Sequence, residues 1–261
     1  MNIYIGKDKQ DMARHAAAAA ADKIRRAIAE KGEARIIVAT GASQFEFLAA
    51  LVAEPGIDWT KVTGFHLDEY VGLPVSHKAS FRGYMRERFV SKTPQPMKVF
   101  NEVDGEAADP AAECAAYERA IEQAGGIDLF LGGIGEDGHI AFNEPFSPLS
   151  SRTRLVTLTQ DTREVNSRFF GGDPEAVPAQ AMSVGVGTVM DAREVVILAF
   201  GSKKARALAS AIEGPMSHYN TVSALQNHPA GIIVCDEAAI GEVKVNSYRY
   251  FKAVEAAESR L

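Results

Sequence analysis

The chain has 261 residues, 46% hydrophobic and 24% charged, so it can bury a sizeable core in one large domain and is not a short repeat or linker-like peptide. Its 28 Lys and Arg against 34 Asp and Glu give a net charge of -6, which argues against a protein that coats nucleic acid or an anionic membrane. Any anionic ligand must therefore be held by local basic groups. The two cysteines, Cys114 and Cys235, match no metal-ligand spacing, and we expect reduced thiols in a cytoplasmic protein.

An alanine-rich segment, residues 16–21, lies near the start of the chain. Charged residues flank it on both sides, which is not the pattern of a signal peptide. Ala17, Ala21 and Ile24 recur at helical spacing, so the segment predicts a helix that stops at Gly32. No apolar stretch approaches the roughly 20 residues that a membrane-spanning helix needs. We therefore expect no membrane partner.

Short β-rich runs alternate with longer helical patterns along the whole chain. Runs such as 127–131 and 195–198 are almost entirely apolar, which is typical of strands in a parallel sheet covered by helices on both faces. The pattern predicts an α/β fold: one doubly wound, mainly parallel sheet in a Rossmann-like three-layer sandwich. The strands are expected at 3–5, 35–39, 62–67, 97–100, 127–131, 194–200 and 231–234.

No internal repeat, low-complexity linker or shift in composition divides the chain, so we expect a single domain over residues 1–261. One segment differs from the rest. Residues 144–168 contain two prolines, several hydroxyl side chains and four arginines, and their apolar periodicity is weak. We expect this segment to form a lid over a site.

Thr40, Gly41 and Ser43 belong to a turn between a predicted strand and a helical pattern over residues 45–53. Ligands of open parallel sheets bind at the carboxyl ends of strands, where such turns offer backbone N–H groups and about half a positive charge from the helix dipole. The turn is not a P-loop, because no Gly-Lys-Ser or Gly-Lys-Thr follows. Phosphate binding and a plain capped turn are both consistent with these residues.

A second strand end carries two adjacent acids, Asp68 and Glu69. Like charges and partial burial raise the pKa of a carboxylate, so one of them could act as a general base. Because side chains alternate along an extended chain, we expect only one acid to face a substrate. A solvated surface turn and a metal pair formed by His66 and Asp68 are the alternative interpretations.

The third strand end, residues 131–145, is rich in glycine and acids. Its glycines fit the dinucleotide pattern G-x-G-x-x-G, but prolines follow where that motif requires a helix, so we reject it. Asp137 and Glu144 place two carboxylates within reach of His139, which would orient the imidazole and raise its basicity for proton transfer. The alternative is a glycine turn with a hydrogen-bonded core histidine.

Two cations complete the set of candidate residues. Arg168 lies in the run NSRFF, and Lys204 follows a buried strand at the start of a helical pattern. Either could pair with a phosphate, although a cation in such a position, taken in isolation, is more often a solvated surface charge.

Taken together, five runs closely resemble the glucosamine-6-phosphate deaminase family, and the resemblance spans nearly the whole chain. The related 6-phosphogluconolactonases share the fold and a Gly-x-Asp-Gly-His element, but they usually have an arginine where Tyr70 stands here. Residues 140–145 also match the deaminase continuation. The runs are 66–73 (HLDEYVGL), 132–145 (GGIGEDGHIAFNEP), 151–154 (SRTR), 166–170 (NSRFF) and 183–188 (SVGVGT).

The resemblance implies a hydrolase that acts on a C–N bond and isomerises its substrate, converting glucosamine 6-phosphate to fructose 6-phosphate and ammonia in amino-sugar catabolism. It implies that Asp68 moves the C2 proton to C1 and that His139 assists ring opening, held by Asp137 and Glu144. No redox change occurs, so neither a nicotinamide nor a metal is expected. The phosphate would be held by Thr40, Gly41, Ser43, Arg168 and Lys204.

Departures from the family pattern leave alternatives open. The phosphate turn more often reads TGGTP or TGSTP, whereas Ala42, Ser43 and Gln44 stand here. A galactosamine-6-phosphate deaminase, a lactonase-like hydrolase and an inactive sugar-phosphate sensor are the alternatives. The family includes hexamers and smaller forms, so a homo-oligomer is one outcome.

Regulation is a further departure. Activated members have a lysine where Val156 stands and a hydroxyl residue where Pro148 stands. We therefore expect little activation by N-acetylglucosamine 6-phosphate.

Overall fold

The computed structural model describes residues 1–41 and 44–258. Within this part, seven parallel strands form the central sheet in the order β1-β10-β9-β6-β2-β3-β5, and the α/β prediction is confirmed. Each predicted strand agrees with one of these within two residues. They are β1 (Asn2–Gly6), β2 (Ala34–Val38), β3 (Val62–His66), β5 (Val99–Asn101), β6 (Leu129–Gly133), β9 (Glu194–Ala199) and β10 (Gly231–Asp236).

Helices cover both faces of this sheet because side chains of adjacent strand residues point to opposite sides. Ile36 and Val38 of β2 pack in the cluster with α1 and α2, whereas Ile37 packs on the other face with α4 and α7. The helices are α1 (Lys9–Lys31), α2 (Phe45–Ala53), α3 (Phe81–Arg88), α4 (Pro110–Gln123), α5 (Gln160–Asn166), α6 (Val186–Met190), α7 (Ala205–Glu213) and α8 (Val245–Glu258).

The predicted end of the first helix is confirmed. Gly32 follows α1 with φ of 82°, a left-handed conformation that favours glycine, and its N–H donates to the carbonyl of Ile28. No helix in the described ranges combines the length and apolar character that crossing a membrane would require.

A second, smaller sheet was not anticipated. It contains three antiparallel strands, β4 (Asp68–Tyr70), β7 (Arg154–Thr157) and β8 (Gln180–Ser183), in the order β4-β8-β7. These strands have three or four residues each, too few for a period-2 pattern, and their partners lie far apart in the chain. The segment 144–168 thus contributes β7 and α5 to an ordered layer beside the main sheet.

The order in which the chain adds strands to the main sheet reverses between the parallel neighbours β2 and β6. From β2 the chain continues outward through β3 to β5, and from β6 it continues the other way through β9 to β10. The loops that leave β2 and β6 therefore diverge, and such a switch point is where open α/β sheets bind ligands. Both the turn at Thr40 and the glycine-rich loop after Gly133 lie there.

Candidate active site

The loop after β6 brings three of the predicted residues together. His139 Nδ1 lies 2.8 Å from Asp137 Oδ1 and 3.9 Å from Glu144 Oε2. Asp137 Oδ1 also accepts the backbone N–H of His139 at 3.1 Å. His139 Nδ1 does not meet the geometry of a hydrogen bond with either carboxylate, so both distances describe close polar contacts. Burial acts to raise the pKa of Asp137, but the contacts with His139 outweigh it and lower that pKa.

Two glycines make this loop possible. A Cβ atom at Gly135 would lie 2.5 Å from the His139 ring, so only glycine leaves room for the imidazole. Gly138 has φ of 92° and packs on Asn220. No helix forms between residues 134 and 153, which agrees with the rejection of the dinucleotide motif.

The three ligating atoms of Asp137, His139 and Glu144 lie within 4.8 Å of one another, and imidazole with carboxylates is a donor set that divalent metals accept. Among the described residues this is the one such group of three or more, so His66 and Asp68 gain no third ligand. A metal-free reaction stays a prediction, which chelation tests.

Asp68 and Glu69 are neighbours with different environments. Asp68, the first residue of β4, is 6% exposed, and its Oδ1 has no hydrogen-bond partner among the described residues. Burial, and then the charge of Glu69, raises the pKa of Asp68 to about 8. Glu69 is fully buried and accepts hydrogen bonds from Ser80 Oγ at 2.7 Å and from the backbone N–H of Arg82 at 2.9 Å. Glu69 thus caps α3, and Asp68 is the acid left available.

The small sheet joins Asp68 to the histidine loop. Asp68 pairs with Ser183 in β8, and Ser183 Oγ accepts the backbone N–H of Phe142 at 3.0 Å. The rings of Tyr70 and Phe142 pack with centroids 5.6 Å apart. The strand that carries Asp68 therefore lies against the turn between His139 and Glu144.

Two further polar side chains near Asp68 are buried without partners. Neither ring nitrogen of His66 makes a hydrogen bond, and burial lowers its pKa to about 3, helped by the charge of Arg82. The hydroxyl of Tyr70 is also unpartnered, and burial raises its pKa, with Asp68 adding to the effect. Both stay neutral at ordinary pH. Unsatisfied buried polar groups are uncommon and tend to concentrate where a protein has a function.

The two predicted cations lie near one another. Arg168 is in the 3-10 helix Ser167–Phe169 and Lys204 ends the 3-10 helix Ser202–Lys204. Burial lowers the pKa of Lys204, the charge of Arg168 lowers it further, and Glu136 and Asp137 oppose the change. Neither cation forms an ion pair with a carboxylate of residues 1–41 or 44–257. Two neighbouring cations that form no direct ion pair within the described part of the chain favour an anionic ligand.

The turn after β2 is placed at the same edge. Gly41 has φ of 112°, which favours glycine, and its carbonyl accepts the N–H of Gln44. The side chain of Gln44 donates to the carbonyl of Gly132 at 3.2 Å and so ties the turn to β6. Ser43 lies outside the described residues. No hydrogen bond or ion pair in the described part of the chain joins Thr40 or Gly41 to the two cations.

A cavity of about 870 Å³ lies elsewhere, beside α4, and is lined in part by Cys114, Arg152 and Arg154. Burial raises the pKa of Cys114 to about 11, so its thiol is inert at neutral pH. We place the site at the strand ends instead, because acid, imidazole and cations meet there.

Sequence reasoning missed the residues that hold the histidine loop from a distance. Thr221 Oγ1 accepts the N–H of Ile140 and donates to the carbonyl of Asn143, each at 3.1 Å. Ser183 binds the same turn from β8. Nothing in the local sequence signals these contacts, since the partners are 41 to 81 residues apart.

A buried acid, an imidazole close to two carboxylates and two neighbouring cations, carried by a doubly wound α/β sheet, are groups suited to acid–base chemistry on an anionic substrate. A family model described as "Glucosamine-6-phosphate isomerases/6-phosphogluconolactonase" matches residues 7–238. The chain belongs to this family.

Individual relatives agree with this assignment. A glucosamine-6-phosphate deaminase of Porphyromonas gingivalis is 48% identical over 98% of both chains, and one of Bacteroides fragilis is 48% identical over 98% of this chain and 96% of its own. A solved structure of a monomeric glucosamine-6-phosphate deaminase superposes with a TM-score of 0.85 at 30% identity, covering 93% of this chain and 100% of its own. A putative 6-phosphogluconolactonase from Neisseria gonorrhoeae shares the fold, with a TM-score of 0.69 at 22% identity, covering 91% of this chain and 100% of its own.

Proposed function

We infer that this protein converts glucosamine 6-phosphate and water to fructose 6-phosphate and ammonia. The observation that carries the inference is the end-to-end identity of 48% to deaminases, together with the acid–base groups at the switch point of the sheet. The reaction is an aldose–ketose isomerisation followed by loss of the amino group, and it belongs to amino-sugar breakdown.

Ring opening is the first step, and we assign it to His139. The closed sugar must move a proton from the C1 hydroxyl to the ring oxygen. A neutral imidazole can accept the first proton and return it to the oxygen. Asp137 at 2.8 Å and Glu144 at 3.9 Å hold the ring and stabilise its charged form.

Proton transfer between carbons is the second step, and we assign it to Asp68. Its carboxylate removes the C2 proton of the open-chain sugar while O1 gains a proton from the substrate's ammonium group, giving an enolamine. The protonated carboxyl then returns its proton to C1, giving an iminium group at C2. Water then adds to C2 and ammonia leaves. In the free protein Asp68 has a pKa of about 8, so kcat/KM should rise as pH approaches 8. The ammonium group of the substrate would favour the ionised carboxylate.

We assign phosphate binding to Arg168 and Lys204, together with Thr40, Gly41 and Ser43. The unpaired charges of the two cations and the position of the turn at the start of α2 support this role. A phosphate would restore the protonated form of Lys204 that burial disfavours.

We also propose that residues 144–168 cover the substrate, that residues 1–261 form one domain, and that the enzyme works in the cytoplasm. Glu144, at the start of this segment, lies beside His139, and its Oε1 accepts the N–H of Thr159 at 3.4 Å. The two buried free thiols are consistent with a reducing compartment.

An ammonia-release assay over a panel of sugar phosphates tests the function. Glucosamine 6-phosphate should be deaminated with fructose 6-phosphate formed in equal amount, with and without a chelator. Preference for galactosamine 6-phosphate would show that the protein is instead a galactosamine-6-phosphate deaminase. Hydrolysis of 6-phosphogluconolactone without ammonia release would show that it is a lactonase. Activity lost on chelation and restored by a metal would assign a metal to Asp137, His139 and Glu144.

A further inference from the structure

Asn143 lies between His139 and Glu144 and is fully buried. Its Nδ2 donates to the carbonyls of Ile140 and Val184, both at 2.8 Å. Its backbone carbonyl accepts the hydroxyl of Thr221. The side-chain amide thus fixes the turn at Ile140 and also ties it to Val184, the residue that follows β8.

The turn that Asn143 holds is strained. Ala141 has φ of 55°, in the left-handed region that non-glycine residues rarely adopt. Such a conformation persists only where surrounding contacts enforce it. Because the chain reverses at this turn, Glu144 Oε2 lies 3.9 Å from His139 Nδ1.

Arg154 of β7 holds the side chain of Asn143 by a hydrogen bond to its amide oxygen. Its Nη1 donates to Asn143 Oδ1 at 2.6 Å, and its Nη2 donates to Ser147 Oγ at 3.0 Å. Arg154 has no carboxylate within ion-pair distance in the described ranges. The half-buried guanidinium is therefore held by neutral acceptors, with no carboxylate among the described residues to offset its desolvation.

Arg152 offers a contrast two residues earlier. It is half exposed and pairs with Glu118 at 3.1 Å and with Asp191. Its guanidinium makes no hydrogen bond to residues 139–147. The two arginines therefore share a segment but differ in what they hold.

We propose that Asn143, anchored by Arg154, is a positioning residue that holds Glu144 against His139 for ring opening. This rests on the proposed function, which gives His139 and Glu144 their roles. Among the described residues, neither side chain forms a hydrogen bond or ion pair with Asp68, Arg168 or Lys204, to which the C2 and phosphate contacts are assigned. Their loss should therefore reduce kcat and leave the half-saturating substrate concentration almost unchanged.

The test is a double-mutant cycle with Asn143→Ala, Arg154→Ala and the combined variant, with Arg152→Ala as the matched control. Each single change should lower kcat about 10-fold to 100-fold, as expected for a catalytic group displaced by about 1 Å. KM should change less than about threefold. The combined variant should be no worse than the poorer single variant, because both changes break one unit. Arg152→Ala should keep wild-type kcat.

A readout specific to the imidazole separates positioning from stability. One limb of the pH profile of kcat should move in Asn143→Ala and Arg154→Ala but not in Arg152→Ala, because a displaced Glu144 changes the charge beside the imidazole. Asn143→Asp and Arg154→Lys provide the same test if the alanine variants do not fold. Asn143→Asp keeps the oxygen that accepts from Arg154 but loses the amide group that donates to Ile140 and Val184. Its kcat should therefore fall as in Asn143→Ala.

Normal kcat and an unmoved pH limb in the Asn143 and Arg154 variants, with an active wild type and an inactive His139→Ala, would overturn this inference alone. Additive losses in the combined variant would also overturn it. A wild-type protein without deaminase activity would overturn the proposed function and this inference with it.

Discussion

Buried carboxylates lie at both edges of the central sheet, and their surroundings are opposite. At the amino edge, Asp128 accepts Lys31 Nζ at 2.6 Å, Arg193 Nη1 at 2.8 Å and the N–H of Arg35 at 2.9 Å. At the carboxyl edge, Asp68 is as deeply buried, but its Oδ1 has no partner and its pKa is raised. A paired buried charge stabilises the fold, whereas an unpaired one is costly and available for chemistry.

The largest expected effect is on catalysis at the carboxyl edge. Asp68→Asn keeps the shape of the side chain but cannot accept a proton, so turnover and solvent-proton exchange at C2 should fall together by about 10²–10⁴-fold. Measurement of both rates in deuterated water checks this.

Glu69→Gln is the matched control for Asp68→Asn. It should lower the free energy of unfolding, because Glu69 caps α3, and leave C2 exchange in the folded protein within a few-fold of wild type. Near-normal exchange in Asp68→Asn with loss in Glu69→Gln would move the base to Glu69.

At the amino edge, the change should affect stability and not chemistry. Asp128→Asn leaves Lys31 and Arg193 without their shared carboxylate and should cost about 1.5–3 kcal/mol of unfolding free energy. Urea unfolding together with kcat of the folded protein tests this. A loss of kcat at unchanged stability would contradict the division between the two edges.

The cations of the carboxyl edge should act on substrate binding. Arg168→Ala or Lys204→Ala should raise KM, with a penalty of about 1.5–3 kcal/mol for a lost charge-assisted contact, and should change kcat much less. Initial rates over a range of substrate concentrations measure both constants. Lys203→Ala is the control, since Lys203 is exposed and faces Glu136. If both variants bind phosphorylated ligands normally, the phosphate site lies elsewhere.

Asp68 should also make stability depend on pH. Its pKa in the folded protein, about 8, is above the ordinary value of 3.8, so the folded state binds the proton more tightly and loses stability as pH rises from about 4 to 8. Asp68→Asn lacks this loss and should be more stable than wild type by about 0.5–2 kcal/mol above pH 8. Thermal unfolding of both proteins from pH 4 to 9 shows whether the difference grows with pH. A constant difference would mean that Asp68 titrates normally.

The smallest expected effect is that of N-acetylglucosamine 6-phosphate on the rate. Val156 packs in the buried cluster around Tyr70, and Arg154 is engaged by Asn143 and Ser147. Without a second cation, the activator has little differential affinity with which to shift a conformational equilibrium. Initial rates with and without the compound should be superimposable and near-hyperbolic. A sigmoidal curve made hyperbolic by the compound would show that Arg154 suffices.

The amino-acid sequence by itself determined the central sheet, the first helix and the histidine loop. Apolar runs such as 127–131 indicate buried strands. Gly32 ends α1 because glycine adopts the left-handed conformation required there without strain. Asp137, His139 and Glu144 are found together because they lie within one short turn. These features depend on local periodicity and turn chemistry, which a sequence displays directly.

Only the tertiary structure decided which of two adjacent acids is free. Glu69 is occupied by Ser80 and Arg82, and Asp68 is not, although the sequence offers both equally. The small sheet and the support of Asn143 by Arg154 are likewise decided by contacts between distant segments. Hydrogen bonds between side chains of distant segments form only when the whole chain has packed, so the periodicity of the sequence does not predict them.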